Sequence, residues 1–106
     1  MLTNEDKLIL LIEECGEVIQ AATKCLRFGY DRLEPGYGVN SEVLAQEVGD
    51  LEGVIASLDL DDGIVTAYRK LKMAKAERVK AEREQAMQQL ATQAQELKMG
   101  YEPQNR

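Results

Sequence analysis

The sequence contains no histidine and no tryptophan, and it has one phenylalanine and four tyrosines. Without histidine, a Ser–His or Cys–His catalytic pair cannot form, and a zinc site would lack its commonest nitrogen ligand. Because aromatic residues are scarce, the core must be built from Leu, Ile, Val, Ala and Met, a composition that favours helices over sheets. These absences predict an all-helical protein whose chemistry depends on other side chains.

Long apolar segments are also lacking. No stretch approaches the roughly 20 apolar residues needed to span a bilayer, and the acidic residues before the apolar run at 8–12 are atypical of a signal peptide. Cys15 and Cys25 are ten residues apart on one predicted helix, about 15 Å along its axis, so they cannot pair with each other. We predict that both are small buried residues of a cytoplasmic protein.

The charge of the chain is unevenly distributed. Its 106 residues fit a single domain, and the net charge of −6 disfavours nucleic acid or an anionic membrane as the main partner. Residues 1–62 carry a net charge of −10, whereas residues 63–106 carry +4. Such an arrangement suits a polyphosphate held between metal ions and cationic side chains, and it equally suits ordinary solvated helices.

Apolar residues at helical spacing predict three helices, over about residues 4–26, 41–58 and 63–99. We expect Thr3 or Asn4 to cap the first helix and Ser41 the second, and the aspartates of residues 59–62 to cap the third. The run at residues 8–12 is apolar on every side, which predicts that the first helix is central. The predicted packing stripes are Leu8, Ile12, Cys15, Ile19, Ala22 and Leu26 on the first helix, and Leu44, Val48, Leu51, Ile55 and Leu58 on the second.

Residues 28–40, between the first two helices, hold the densest cluster of glycine and proline and predict a loop. The third helix is expected to pack through its first apolar residues, Ile64, Tyr68 and Leu71. Residues 84–106 are predicted as a helical C-terminal arm within the same single domain, residues 1–106. Four of its residues have coiled-coil spacing, over too short a length to prove a coiled coil: Met87, Leu90, Ala94 and Leu97.

Two groups of carboxylates are the most informative residues. Glu14 and Glu17 share one face of the first helix, and Glu47 and Asp50 share one face of the second, since residues three apart are neighbours on a helix. A helical wheel places the second pair at the border of its apolar stripe. Carboxylates at such an interface repel one another and lose hydration, so they require a cation. Hard oxygen ligands suit Mg²⁺ or Mn²⁺.

A single Glu-x-x-Glu spacing is more often an ordinary solvated helix face than a site. Two pairs, one on each helix, favour the metal-site interpretation. Gly16 and Gly49 lie inside the two motifs, where each costs about 1 kcal/mol of helix propensity relative to alanine. We therefore expect the two backbones to approach closely at these glycines.

The segment Glu13-Glu14-Cys-Gly-Glu17, followed by Glu47-Val-Gly-Asp50, resembles the EExxE…ExxD signature of MazG-like nucleotide pyrophosphohydrolases. The similarity extends over residues 18–24 and 27–29, as in the short, often phage-borne branch of that family, and covers about residues 5–80. The resemblance implies an antiparallel all-α bundle completed by homo-oligomerisation, as a homodimer or a homotetramer.

The resemblance also implies a reaction and a site. The reaction would be hydrolysis of an NTP or dNTP to the monophosphate and pyrophosphate with Mg²⁺ or Mn²⁺, in nucleotide-pool control or house-cleaning. Glu14, Glu17, Glu47 and Asp50 correspond to metal ligands, and Glu13 to an accessory acid that orients a water or an outer ligand. All five are thus predicted catalytic residues, with no role for nucleic acid or membrane.

Basic residues are candidates for phosphate contacts. Lys24 lies seven residues after Glu17 and close to the same helix face. Lys72, Lys75 and Arg78 occupy the region of the third helix where the MazG-like resemblance implies phosphate-facing cations. A solvated surface charge is the alternative for each of the four.

Two other functions compete with this prediction. The chain could be a non-catalytic helical interaction module, which has no reason to bind Mg²⁺ or Mn²⁺ at its carboxylates. It could also be a related phosphohydrolase with another pyrophosphate-containing substrate. Neither the base nor the sugar of a nucleotide substrate can be chosen from the sequence.

Overall fold

The computed structural model describes residues 1–100, which form three helices and a small hairpin. Helix α1 covers Asn4–Phe28, and strands β1 (Leu33–Glu34) and β2 (Gly38–Val39) follow it; α2 covers Asn40–Ser57 and α3 covers Asp62–Gly100. The first compact unit is Met1–Leu60, and a second unit begins at Asp61 and contains α3. The predicted all-helical class is confirmed, since the two strands have only two residues each. The sequence did not predict them.

The start of α1 is fixed by its cap. The backbone N–H of Asp6 donates to Thr3 Oγ1 at 3.0 Å, and the Thr3 N–H donates back to Asp6 Oδ2 at 2.8 Å. This reciprocal pair satisfies two N–H groups that a helix start would leave unbonded, and it confirms Thr3 as the cap. The backbone and hydroxyl donors of Thr3 lower the pKa of the Asp6 carboxyl. At the other end, Gly29 stops the helix with φ +111°, a conformation that favours glycine.

The segment between α1 and α2 folds back on itself as a short antiparallel hairpin, with Leu33 opposite Val39. Asn40 closes it: this side chain is 3% exposed, and its Nδ2 donates to the Gly29 carbonyl at 2.9 Å. The backbone N–H of Asn40 donates to the Arg32 carbonyl, also at 2.9 Å. The end of α1 is thereby joined to the start of α2, which lets the two helices run antiparallel. The cap of α2 is Val39, without a side-chain hydrogen bond, so the prediction of Ser41 as the cap is wrong.

Helix α1 packs against α2 through a different face from the one predicted. On this face Ala21 is buried, and Leu11 and Val18 are half-buried. Most of the predicted stripe is instead exposed to solvent. Leu8, Ile9 and Ile12 are at least 50% exposed in the single chain, so the predicted burial of α1 by more than one neighbour is not observed there. On α2 the predicted stripe is largely confirmed, since Val48 is exposed and the other four residues are half-buried: Leu44, Leu51, Ile55 and Leu58. The heptad spacing thus identified the packed face of α2 but not that of α1.

Helix α3 begins where predicted, since Asp61 Oδ1 accepts the Ile64 N–H at 3.0 Å as a cap. None of its described residues is buried, and Ile64, Tyr68 and Leu71 are 59–69% exposed, so their predicted packing is not observed. Of the predicted arm, residues 84–100 belong to α3, and residues 101–106 lie outside the described part of the chain. No helix among residues 1–100 has the length and apolar character of a membrane span.

Candidate metal centre

Four carboxylates from two helices meet in the first unit. Glu14 and Glu17 project from α1, and Glu47 and Asp50 project from α2. One oxygen from each lies within 4.8 Å of one oxygen from each of the others. The structure thus brings together the four residues that the sequence predicted as metal ligands.

Two of the four carboxylates lie deeper than the other two. Glu14 and Glu47 are half-buried, whereas Glu17 and Asp50 are exposed. Glu47 lies beside the predicted apolar stripe of α2 as expected, and like Leu44 and Leu51 of that stripe it is half-buried. We call Glu14 and Glu47, which are half-buried, the floor of the cluster, and we call Glu17 and Asp50, which are open to solvent, its rim.

The floor contains two unsatisfied polar atoms. Oε2 of Glu14 and Oε2 of Glu47 are shielded from solvent, and neither has a hydrogen-bond partner. A buried carboxylate oxygen without a donor or a cation is costly and uncommon in folded proteins. Among residues 1–100, the ion pairs formed by Lys and Arg involve other carboxylates, namely Glu34, Glu82 and Glu84. The described residues thus supply the cluster with negative charge and form no ion pair with it.

The electrostatics of the cluster raise two pKa values. Burial raises the pKa of Glu14 above its ordinary value of 4.5, and the carboxyls of Glu17, Asp50 and Glu47 raise it further. The neighbouring Glu17 carboxyl is the largest cause of the raised pKa of Glu47, followed by burial and the charge of Asp50. The raised pKa values mean that the carboxyls of Glu14 and Glu47 are harder to ionise than an isolated glutamate. A bound divalent cation would reverse this effect, because it favours the ionised form of every ligand.

The donor set fits a hard divalent cation. All four groups offer carboxylate oxygens, which suit Mg²⁺ and Mn²⁺, and their mutual distances allow one ion to reach all four or two ions to share them. The two unpartnered oxygens are the positions where a cation would satisfy the protein. Cys15 does not belong to the cluster, and it is exposed, so its predicted burial is wrong; Cys25 is half-buried, and both cysteines are free.

Two other predicted site residues, Glu13 and Lys24, lie on α1 and do not belong to the group of four carboxylates. Glu13 is exposed on α1, outside the group of four, although it lies one helical turn before Glu17. The Lys24 ammonium lies 5.1 Å from the centre of the Tyr37 ring. This cation–π contact places the tyrosine of the hairpin turn beside the α1 face that carries Glu17. Residue spacing identified Lys24 but could not identify its aromatic partner in the loop.

Lys72, Lys75 and Arg78 are exposed and line one groove along α3 together with Tyr68 and Leu71. Arg78 also lies 3.9 Å from Glu82, one helical turn away, in a solvent-exposed pair. Such a pair contributes little stability and leaves the arginine accessible. The three residues thus form one basic face on the second unit.

The glycines inside the two motifs do not mark a close approach of α1 to α2. A side chain at Gly16 or Gly49 would meet no atom within 4 Å, so the predicted contact at these positions is wrong within the chain. The space beside both glycines is open. Their cost in helix propensity is therefore not offset by packing inside residues 1–100.

The chain matches no protein-family model, no curated protein and no solved structure. The resemblance to MazG-like proteins therefore stays a prediction from the sequence.

Proposed function

We propose that this protein is a Mg²⁺- or Mn²⁺-dependent nucleoside triphosphate pyrophosphohydrolase, which converts an NTP or dNTP and water to the monophosphate and pyrophosphate. The observation that supports this most strongly is the pair of shielded, unpartnered oxygens of Glu14 and Glu47 inside a cluster of four carboxylates. A solvated acidic surface would not need to bury these atoms. The MazG-like spacing of the same residues supports the assignment to nucleotide chemistry.

The proposed mechanism assigns a role to each carboxylate. Glu14, Glu17, Glu47 and Asp50 would hold the divalent ions; Glu14 and Glu47 are half-buried and the other two are exposed. Bound there, the ions would offset phosphate charge and lower the pKa of a water that attacks the α-phosphorus. Glu13, one turn before Glu17 and exposed, orients that water. The water oxygen bonds to the α-phosphorus as the bond to the α,β-bridging oxygen breaks; pyrophosphate leaves with that oxygen, and the proton of the water passes to solvent.

Cationic side chains are proposed to hold the leaving pyrophosphate. Lys24 is on the same face of α1 as Glu17, about 10 Å further along the helix axis. Its contact with Tyr37 orients the ammonium without neutralising it, so the charge remains available for a phosphate oxygen. Lys72, Lys75 and Arg78 are proposed as further phosphate contacts because they form one exposed basic face. The active form is proposed to be a homodimer or homotetramer in the cytoplasm.

The test is pyrophosphate release from the four common NTPs and the four dNTPs, each with Mg²⁺, with Mn²⁺ and with EDTA. Metal-dependent release from one or a few nucleotides would establish the reaction and identify the base and sugar. If no nucleotide is cleaved by folded protein with either metal, the proposal is wrong. Isothermal titration with Mn²⁺ then separates the two alternatives. A non-catalytic interaction module would not bind the ion at these carboxylates, and a phosphohydrolase for another pyrophosphate substrate would.

A further inference from the structure

A tight turn holds Tyr37 in the hairpin. The Tyr37 N–H donates to the Glu34 carbonyl at 3.0 Å, and Gly36 has a φ of +85°. With Pro35 before it, this glycine fits the third position of a type II turn, where a positive φ is required. The backbone of Tyr37 is therefore fixed by its neighbours, whereas the residue as a whole is 71% exposed.

The ring of Tyr37 restrains a lysine of α1. The Lys24 ammonium lies 5.1 Å from the centre of this ring, within the range of a cation–π contact. A lysine side chain has many rotamers, and a phosphate that binds it must immobilise it. The ring reduces this entropic cost and does not cancel the charge. Within residues 1–100, Lys24 forms no ion pair.

Both helices place this pair at the same end of the acidic cluster. On α1, Lys24 lies seven residues after Glu17, almost on the same helix face and about 10 Å further along the axis. The Cα–Cβ bonds of a helix tilt toward its N-terminus, which at Lys24 is the direction of Glu17. On α2, Glu47 lies seven residues after Asn40, which closes the hairpin through its hydrogen bond to the Gly29 carbonyl. A cation is thus available beyond one end of the cluster.

The γ-phosphate is the part of a nucleotide that suits a cation in this position. With the α-phosphate at the ions held by the carboxylates, the γ-phosphate is the most distant of the three phosphates and the most highly charged. A nucleoside diphosphate has the same base, sugar and α,β-linkage but ends one phosphate earlier. We propose that Lys24 binds the γ-phosphate, with Tyr37 as its positioning residue, and that this pair makes the site prefer triphosphates to diphosphates. This inference rests on the proposed function and deepens it.

The nucleotide preferred in the hydrolysis panel and its diphosphate test the contact. The measurements are kcat and KM for the NTP and the inhibition constant Ki of the corresponding NDP. We expect Lys24→Met to raise KM for the NTP by about 10- to 100-fold with kcat little changed, because a hydrogen bond between charged groups is lost from the bound substrate. Ki for the NDP should change by less than about twofold. Equal increases in KM and Ki would overturn the proposal.

Arg27→Met is the matched control for the loss of charge. It removes a cation three residues further along α1, where the guanidinium carbon lies 5.3 Å from the Phe28 ring and not beside Tyr37. We expect KM for the NTP to stay within about twofold of the parent value. An increase as large as that in Lys24→Met would mean that positive charge at this end of α1 acts without a specific contact, and it would overturn the proposal.

Substitutions of Tyr37 test its positioning role. Tyr37→Phe keeps the ring and should retain the parent KM, whereas Tyr37→Leu should raise KM for the NTP by about 2- to 5-fold. Added to Lys24→Met, Tyr37→Leu should have no further effect, because the ring acts through the lysine. If Tyr37 instead stacked on the base, Tyr37→Leu would raise KM for the NTP and Ki for the NDP equally, since both carry the base. That result would overturn the proposal.

A binding measurement distinguishes this inference from the proposed function. Isothermal titration of the Mn²⁺-containing protein with α,β-methylene analogues of the NTP and NDP compares the two ligands without hydrolysis. The parent should bind the triphosphate analogue at least about 10-fold more tightly, and Lys24→Met should remove most of this difference. Hydrolysis by a parent protein that shows no such difference would overturn this inference alone. A parent protein that cleaves no nucleotide would overturn the proposed function and this inference with it.

Discussion

A carboxylate oxygen of Glu14 lies within 4.8 Å of one of Glu47, although the two residues belong to different helices, and Oε2 of each is shielded and unpartnered. Two half-buried acids at this distance oppose the packing of the helices that carry them. Glu17 and Asp50 add to the repulsion from the exposed rim. The cluster thus lowers the stability of the protein and creates a demand for a cation, which is the basis of the first three predictions.

Removing one ligand charge should abolish hydrolysis without unfolding the protein. We expect Glu47→Gln and Asp50→Asn to reduce kcat for the preferred nucleotide by about 100-fold or more, since loss of even an outer-shell partner of a metal commonly costs 10- to 100-fold. Glu52→Gln is the control, because Glu52 is an exposed carboxylate on α2 outside the cluster. Steady-state pyrophosphate release and far-ultraviolet circular dichroism are the measurements. Equal activity in Glu47→Gln and Glu52→Gln would exclude the proposed ligand set.

A divalent ion should stabilise the fold through the cluster. Mn²⁺ at about 100 times its Kd is expected to raise Tm by roughly 10 °C in a domain of this size, because it binds the folded chain and not the unfolded one. Glu14→Gln removes one of the two shielded ligands and should reduce or abolish the rise. Differential scanning fluorimetry with EDTA as the reference measures both. A similar increase in the Tm of Glu14→Gln would show that the ion binds at another position.

The metal-free protein should lose stability as the pH rises through the pKa values of the two central acids. Glu14 and Glu47 have pKa values above 4.5 in the folded state, so the folded chain binds more protons than the unfolded chain between 4.5 and those raised values. Their contribution to stability is present below 4.5 and is lost as the pH rises through this window. With EDTA, the Tm advantage of Glu47→Gln over the parent should therefore be larger at about pH 8 than at about pH 4. An advantage that does not change with pH would contradict the raised pKa of Glu47.

The loop before α2 should depend on Asn40. Replacing this residue by alanine removes the donor to the Gly29 carbonyl, and a lost buried hydrogen bond costs about 1–3 kcal/mol. The expected decrease in Tm is about 5–15 °C, measured by circular dichroism. Asn4→Ala, at the exposed start of α1, is the matched control and should change Tm little. Equal decreases in the Tm of both variants would mean that the Asn40 hydrogen bond contributes no more to stability than the exposed Asn4 side chain does.

Helix positions and caps followed from local chemistry and could be predicted closely. Thr3 and Asp61 cap as the sequence indicated, and the helices end within about two residues of the expected bounds. Such features depend on neighbours along the chain. Asn40 was missed because its partner, the Gly29 carbonyl, is eleven residues away and is reached only after the loop has folded.

The packed face of α1 was predicted less well than the helices. On α1 the heptad stripe dominates the apolar pattern, and the prediction assigned it to the core, whereas α2 packs against a face containing Val18 and Ala21. A helix with two apolar faces does not reveal which one meets its own chain. The acidic motif was more informative, since the spacing of three residues within each pair fixes two side chains on one face whatever the helix packs against. The burial of Glu14 and Glu47, however, depends on the helix interface and required the structure.

All four carboxylates come from a continuous segment, residues 14–50, whose two helices are joined by a closed hairpin. The assembly of the cluster is therefore a unimolecular event, with an effective concentration set by the loop and not by the amount of protein in solution. Dilution that separates the copies of the chain removes no ligand from the cation. Affinity for Mg²⁺ or Mn²⁺ should thus be independent of protein concentration, even where the association state and the turnover are not.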